Sequence, residues 1–401
     1  MKKKMIALLL CSAMALTMLA GCGKDNGGSE QVPDVTAEPI GGVKEEESET
    51  ENSDFSVPEN DTTEEDDAAK AELEQKKIEG ILTNDKAPAG KVYSELSGLL
   101  IDESLKDQRP IAVMVDNEIT AQPHFGLNNA DIIFEMVNST KNDRVTRLMA
   151  VVKDWKDTKQ LGNVRSARTT NCILAAEFNA VLCHDGGPYP IPEFSDFMNS
   201  AEVDHLSGVF SRIDNGKARE FTEYVTSSDL ASYITNSSSI SEKYNQYYTE
   251  DHFQFVESDP MSYNNYAFNF DALSKITLPF YHNKSELKYN SSTGKYDYYV
   301  YGSAHLDGAT GEQLSFDNVI VLCADIHDYG EGYLRYYLEG KTNVGYYLNN
   351  GKAVTLIWSK GEKLTDNIKL LDADGNEIVI QAGKTYIGIV PSDSWAEITI
   401  Q

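Results

Sequence analysis

"RPIAVMVDN", residues 109–117, places five consecutive apolar side chains, Ile111 to Val115, between a proline and an Asp-Asn pair. An apolar run of that length without polar alternation reads as a strand covered on both faces, ending at Asp116-Asn117. "ADIIFEMV" (130–137) and "VTRLMAVVKD" (145–154) read as a second and a third strand. A helix is predicted over about 166–178, capped by Ser166 or Asn163, with Ile173, Leu174 and Phe178 on one face. "AVLCH" (180–184) is a fourth strand and runs into the turn stretch "DGGPYP". "IPEFSDFMNS" and "SSDLASYITNSS" look helical. Strands that alternate with helices predict an α/β sandwich.

From about Phe253 the pattern changes. "ELKYNSSTGKYDYYVYG" reads as two strands around a turn, and "NVIVLCAD", "GYLRYYLEG", "NVGYYLNNGKAVTLIWSKG" and "KTYIGIV" follow. Asn350-Gly351 and Asp374-Gly375 are hairpin signals. The expected fold class is therefore α+β, with an N-terminal α/β sandwich domain (76–252) before a mostly antiparallel β domain (253–401). A short helix, "AAKAELEQKKIEG" (68–80), leads into the first of these.

The N-terminus suggests an address. Lys2, Lys3 and Lys4 precede an apolar run, Met5 to Leu19, that is too short for a good spanning helix. The run ends in Leu19-Ala20-Gly21-Cys22, which looks like a bacterial lipobox. Residues 1–22 are then a lipoprotein signal peptide, and Cys22 is the lipidation residue. Two or more acyl chains give stable anchoring, so the expected location is the extracytoplasmic face of the cell membrane. Residues 23–75 are rich in Glu, Asp, Ser, Thr and Gly and predict a disordered acidic linker. The formal net charge of the whole chain is −28. A basic face for phosphate backbones is missing, so nucleic acid is excluded as a partner. Cys172, Cys183 and Cys323 sit in apolar company and read as buried thiols, with a Cys172–Cys183 disulfide left open.

Within this acidic chain, "GNVRSARTTN" (162–171) sets two arginines three apart beside hydroxyls. Asp116 and His184 fall at the ends of apolar strands, where open α/β sheets bind ligands. Exposed amides at a helix start and arginine forks both suit an anion. The candidate ligand-binding residues are Asp116, Asn117, Arg165, Ser166, Arg168, His184 and Asp185, with Arg144 and Arg147 just upstream. The competing expectation is that the arginines pair with Asp116, Asp131 or Glu135 and fix loops. Arg165, at the helix entrance, is expected to face a ligand. Arg168, one turn in, is expected to be structural. No catalytic residue, cofactor or metal ligand is assigned. The chain has no G-x-S-x-G, HExxH or P-loop, and its histidines lack metal spacing.

"RPIAVMVDN", "GLNNADIIFEMV", "TRLMAVV", "GNVRSART" and "HDGG", in this order and spacing, resemble the YerB-like lipoproteins of Gram-positive bacteria. "GSAHLDGATGEQLSFDNVIVL", "GKAVTLIWSKG" and "DADGNEIVIQAGKTYIGIVP" extend the resemblance over roughly residues 90 to 400. It implies an N-terminal α/β domain and a C-terminal β-rich domain on a lipidated stalk, and it carries over no settled enzymatic activity. One departure stands out. A His-Asn pair usual in the family is missing from "GKAREFTEYVTS" (216–227). The expected function is a membrane-anchored binding or accessory module of the cell envelope, facing an envelope protein or an anionic ligand. The alternative is an envelope enzyme acting on a phosphate- or carboxylate-bearing substrate.

Overall fold

The structure, a computed structural model, describes residues 64–249, 252–266 and 269–401. The leader, Cys22 and most of the acidic linker lie outside them. Helix α1, Glu64–Gly80, begins upstream of the expected start at residue 68, inside the segment read as linker. Its first residues, Glu64 to Asp67, are all acidic.

The four predicted strands form where expected. They are β1 (Ile111–Asp116), β2 (Ile132–Val137), β3 (Thr146–Val152) and β4 (Val181–His184), and every residue in them is buried. Strand β5 (His205–Ser207) continues the same sheet and β6 (Glu223–Val225) lies in a smaller one. Helices α2 (Thr169–Glu177) and α3 (Pro192–Met198) fall between them, and α4 (Ser227–Leu230) follows β6. The C-terminal half is mostly β: β7 (Glu286–Asn290), β8 (Lys295–Val300), β9 (Asn318–Ala324), β10 (Ile326–Asp328), β11 (Leu334–Tyr336), β12 (Lys341–Asn349), β13 (Lys352–Lys360) and β14 (Thr385–Pro391). The β12–β13 pair is antiparallel and turns at Asn350-Gly351, as the hairpin signal required.

The halves share one sheet of eleven strands. Its order through the middle is β13-β12-β9-β14-β2-β3-β1-β4-β5. At the junction β2 runs parallel to β14, with Ile132 opposite Thr385 and Met136 opposite Ile389. Strands β1, β4 and β5 are mutually parallel, so Asp116, His184 and Ser207 end on the same edge.

Side chains alternate across a strand, which gives the central sheet two chemically distinct faces. Met136, Arg147 and Asp116 are direct neighbours on β2, β3 and β1 and share one face. Helix α2 covers that face; Phe178, just past its end, meets Phe134 edge-on at 5.9 Å. Glu135 and Thr146 point the other way, toward the six-stranded sheet that holds β7 and β8. The core is thus a helical layer, a central sheet and a second sheet. Cys172, Cys183 and Cys323 are all free and buried, so the disulfide left open at Cys172–Cys183 is not formed.

Candidate anion site on the helical face

Helix α2 starts at Thr169, three residues later than expected, and Arg168 is its cap residue with extended backbone (φ −127°, ψ 167°). Neither Ser166 nor Asn163 caps it. Their polar groups are already used, because residues 161–168 form an extended strap. Gly162 pairs with Tyr224 of β6. The Asp116 amide donates to the Asn163 carbonyl at 3.1 Å, and the Arg165 amide donates to Met114 at 3.0 Å. Ser166 Oγ donates to the Asp185 carbonyl at 2.7 Å, and the Ala167 amide donates to Gly186 at 3.1 Å. Backbone held by so many cross-chain bonds cannot also close helical ones. Gly186 has φ +79°, and a Cβ there would stand 3.1 Å from Ser166 Oγ.

The strap brings three guanidinium groups to the helical face of β1 and β3. Arg165 Nε stands 2.7 Å from Asp116 Oδ2, and its Nη1 is 3.1 Å from the exposed Glu220. Arg147, opposite Asp116 in the sheet, is 91 % buried and donates to the Ser166 carbonyl at 2.6 Å. Its Nε has no protein acceptor. Arg168 donates to the carbonyls of Ala167 at 2.9 Å and Asn138 at 3.3 Å. Its guanidinium also lies 5.1 Å from the centre of the Tyr333 ring, at the foot of the β10–β11 hairpin. Among the described residues, neither Arg147 nor Arg168 has a carboxylate within salt-bridge distance. Burial and the neighbouring charge of Arg168 push Arg147 down to about 9. Burial, with Arg165 adding to it, pushes Arg168 down to about 10.

Arg165, expected to face a ligand, is the arginine engaged by carboxylates, and Arg168, expected to be structural, meets two carbonyls and the Tyr333 ring. Arg165 holds the carboxylates, while Arg168 has none. Arg144, considered alongside them, is engaged elsewhere in a two-bond pair with Asp393 at 2.7 and 2.5 Å. Asp131 and Glu135 pair with neither arginine. Asp131 accepts the Lys153 amide at 2.8 Å, and Glu135 lies on the opposite face.

The remaining candidates divide. Asn117 is fully buried on the opposite face and donates to Thr146 at 2.8 Å and Glu135 at 3.1 Å. His184 is fully buried too. Its Nδ1 meets the Gly186 carbonyl at 2.8 Å and its Nε2 meets His205 Nδ1 at 3.2 Å. Burial lowers His184 to about 4, leaving a neutral ring that supports the turn. Asp185 reaches Arg212 at 3.1 Å, and Arg212 also pairs with the buried Glu223. Burial, then the Asp185 carboxyl beside it, push Glu223 up to about 7. Asp116, Arg165, Ser166 and Arg168 are therefore brought together, with Asp185 at the rim; Asn117 and His184 are buried behind it. Arg147 is the member that sequence reasoning named only in passing. Its signal is the cross-strand register with Asp116, which spacing along the chain does not reveal.

Two more buried polar clusters were not expected. His124 Nδ1 and His305 Nε2 meet at 2.8 Å across the two halves. Lys360 and His252 flank Glu177 at 2.9 and 3.3 Å. Among the described residues no group of His, Cys, Asp and Glu has the arrangement of a metal site.

Two family profiles match the chain. Residues 96–245 match "Protein of unknown function (DUF3048) N-terminal domain", and residues 276–387 match its C-terminal domain. The chain is 25% identical over 321 residues to a Bacillus subtilis (strain 168) protein named "Putative lipoprotein YerB", covering 78% of this chain and 90% of that one. The chain belongs to the YerB-like family. The crystal structure of YerB from Bacillus subtilis aligns with a TM-score of 0.63 at 22% identity, over 78% of this chain and all of that one. The shared fold is the mixed, mostly antiparallel α+β architecture described above. No helix among the described residues is long and apolar enough to cross a membrane.

Proposed function

We propose that the chain is a lipoprotein anchored through Cys22 to the outer face of the cell membrane. There it serves the cell envelope by binding an anionic ligand, or an acidic partner, at Arg147, Arg165 and Arg168. The anchor is supported by the "LAGC" stretch and by a relative named as a lipoprotein. One observation carries the binding role. Arg147 and Arg168 are largely buried without a carboxylate, in a chain of net charge −28. Acidic side chains are abundant, yet the one that faces Arg147, Asp116, is paired with Arg165, and none reaches ion-pair distance of Arg168. A buried charge left unpaired is costly, and an incoming anion would offset that cost.

The test is calorimetric titration of the full chain with phosphate, sulfate and acetate. Binding is expected in the wild type and lost in Arg168→Gln. Heat signals identical in both proteins would overturn the reading. For the anchor, Cys22→Ser should abolish palmitate labelling. A second reading, an envelope enzyme acting on a phosphate- or carboxylate-bearing substrate, is favoured by the Asp185–Glu223 carboxyl pair at the rim, where Glu223 is poised to carry a proton near neutral pH.

A further inference from the structure

The charges in the arginine cluster narrow the ligand, on the basis of the anion-binding reading above. Asp116 and the exposed Glu220 both pair with Arg165. Arg147 faces Asp116 across the strand pair without an ion pair, Arg168 has no carboxylate at ion-pair distance, and the two cations lie close enough to repel each other. The wall around them carries further unused polar atoms. Thr169 Oγ1, Asn138 Oδ1 and Arg147 Nε are buried without a protein partner. All three lie next to the cluster: Asn138 accepts from Arg168 through its carbonyl, Thr169 follows Arg168, and Arg147 donates to the carbonyl of Ser166. Helix α2 starts there; the Asn171 and Cys172 amides donate to the Arg168 carbonyl, which leaves those of Thr169 and Thr170 without an acceptor in the helix.

A carboxylate or a phosphodiester brings one negative charge and would leave one guanidinium uncompensated. A phosphate monoester brings roughly two charges near neutral pH and three strong acceptor oxygens. Arg147 Nε, the guanidinium nitrogens not already bonded to carbonyls and the helix start match that number of oxygens. We infer that the cluster is a seat for a phosphate monoester, held by Arg147, Arg168 and the first turn of α2, with the Arg165–Asp116 pair as its side wall. Tyr333 is a positioning residue contributed by the C-terminal half. Its ring lies 5.1 Å from the Arg168 guanidinium, so a residue of the C-terminal half adjoins the seat.

The experiment titrates the full chain with methyl phosphate, dimethyl phosphate, acetate and sulfate. Methyl phosphate is expected to bind at least about tenfold more tightly than dimethyl phosphate or acetate. Its affinity should fall as pH drops through its second pKa, near ~6, while sulfate affinity stays level. Arg168→Gln and Arg147→Gln should each lose the preference, and Arg147→Lys, which keeps the charge, should retain it. Melting curves confirm that each variant is folded. Competition by glucose 6-phosphate alone would identify a soluble or glycan-borne monoester. Competition by phosphatidic acid vesicles alone would identify a lipid headgroup, and both outcomes support the seat. If all the anions bind alike and Arg168→Gln weakens them all, the anion site stands and the monoester inference is overturned. If Arg168→Gln changes none of them, the anion-binding reading falls, and the monoester inference with it.

Discussion

Strands β1 to β3 bury charge on both faces and treat it in opposite ways. On the face toward the second sheet, the carboxyl of Glu135 is fully buried, burial pushes its pKa up, and among the described residues no cation lies within salt-bridge distance. Five donors meet it instead: Asn117, Thr146 and Ser285 at one oxygen, Tyr298 and Tyr386 at the other, between 2.6 and 3.1 Å. On the helical face, three guanidiniums share one buried carboxylate, Asp116, and buried nitrogens and oxygens are left over. The same backbone thus carries a polar network that converges on one carboxyl and a more open one. A network that meets both oxygens of its carboxyl specifies packing, although Asn117 Oδ1 at its edge is left without a partner. An open one stores unspent interaction energy, and that is the condition for binding something from outside.

If the face around Glu135 is structural, Glu135→Leu should be the most damaging change in the molecule. It would strand five donors, and the expected loss is at least about 4 kcal/mol in urea unfolding. A loss under about 1 kcal/mol would mean that water already serves those donors. Arg165→Ala comes next. It leaves Asp116, whose side chain is 6 % exposed, without its partner. Breaking a buried pair costs about 3–5 kcal/mol, but Arg147 stands opposite Asp116 and can turn to it, so about 2–3 kcal/mol is expected. Arg165→Ala should also cost more than Arg168→Gln; the reverse order would undo the assignment of Arg165 as the ion-paired wall.

How much of this contrast could be read from the chain depends on the element. Strands β1 to β4 were legible because burial on both faces forces uninterrupted apolar runs. The Asn350-Gly351 hairpin was legible because its turn needs left-handed backbone, φ +46° and +75°. The start of α2 was not. Ser166 and Asn163 look like caps, but Ser166 Oγ bonds the Asp185 carbonyl, and Asn163 Nδ2 bonds the Phe221 carbonyl and the Tyr224 hydroxyl. Both are commitments to distant residues. The site was half legible. Arg165, Ser166 and Arg168 advertise themselves by spacing, and Asp116 by its place at a strand end. Arg147 joins them only through the register of β3 against β1. Asn117, one residue beyond Asp116, falls on the other face because strand side chains alternate. The joining of β2 to β14 links residues some 250 positions apart, and no local pattern encodes it.

Each face also carries a buried histidine pair, which gives the comparison a pH dimension. His184 and His205 lie behind the arginines, and His124 and His305 lie on the side of Tyr298. Burial lowers His184 and His305 to about 4 from an ordinary 6.5. A base lowered by folding binds fewer protons in the folded than in the unfolded chain between those two values. Stability should therefore be full above pH 6.5 and decline as pH falls toward 4. Each ring should account for on the order of 2 kcal/mol of that decline. His305→Gln and His184→Gln should each flatten the curve, measured as unfolding midpoint against pH. Equal slopes in wild type and variants would show that the rings accept protons without strain.

The smallest expected effect discriminates most between the two faces. Arg168→Gln removes two bonds to carbonyl oxygens and a stacking contact with Tyr333. It also removes a charge that repels Arg147 and Arg165. These terms oppose each other, and each is about 1 kcal/mol or less in a partly exposed setting. The unliganded variant should therefore unfold within about 1 kcal/mol of wild type. Adding phosphate should then separate the two proteins, because a ligand that binds only the folded chain raises its stability with concentration. The wild-type midpoint should climb with phosphate while that of Arg168→Gln stays flat. A variant several kcal/mol less stable in the absence of any anion would instead make Arg168 a structural residue, and the helical face would be as closed as the one around Glu135.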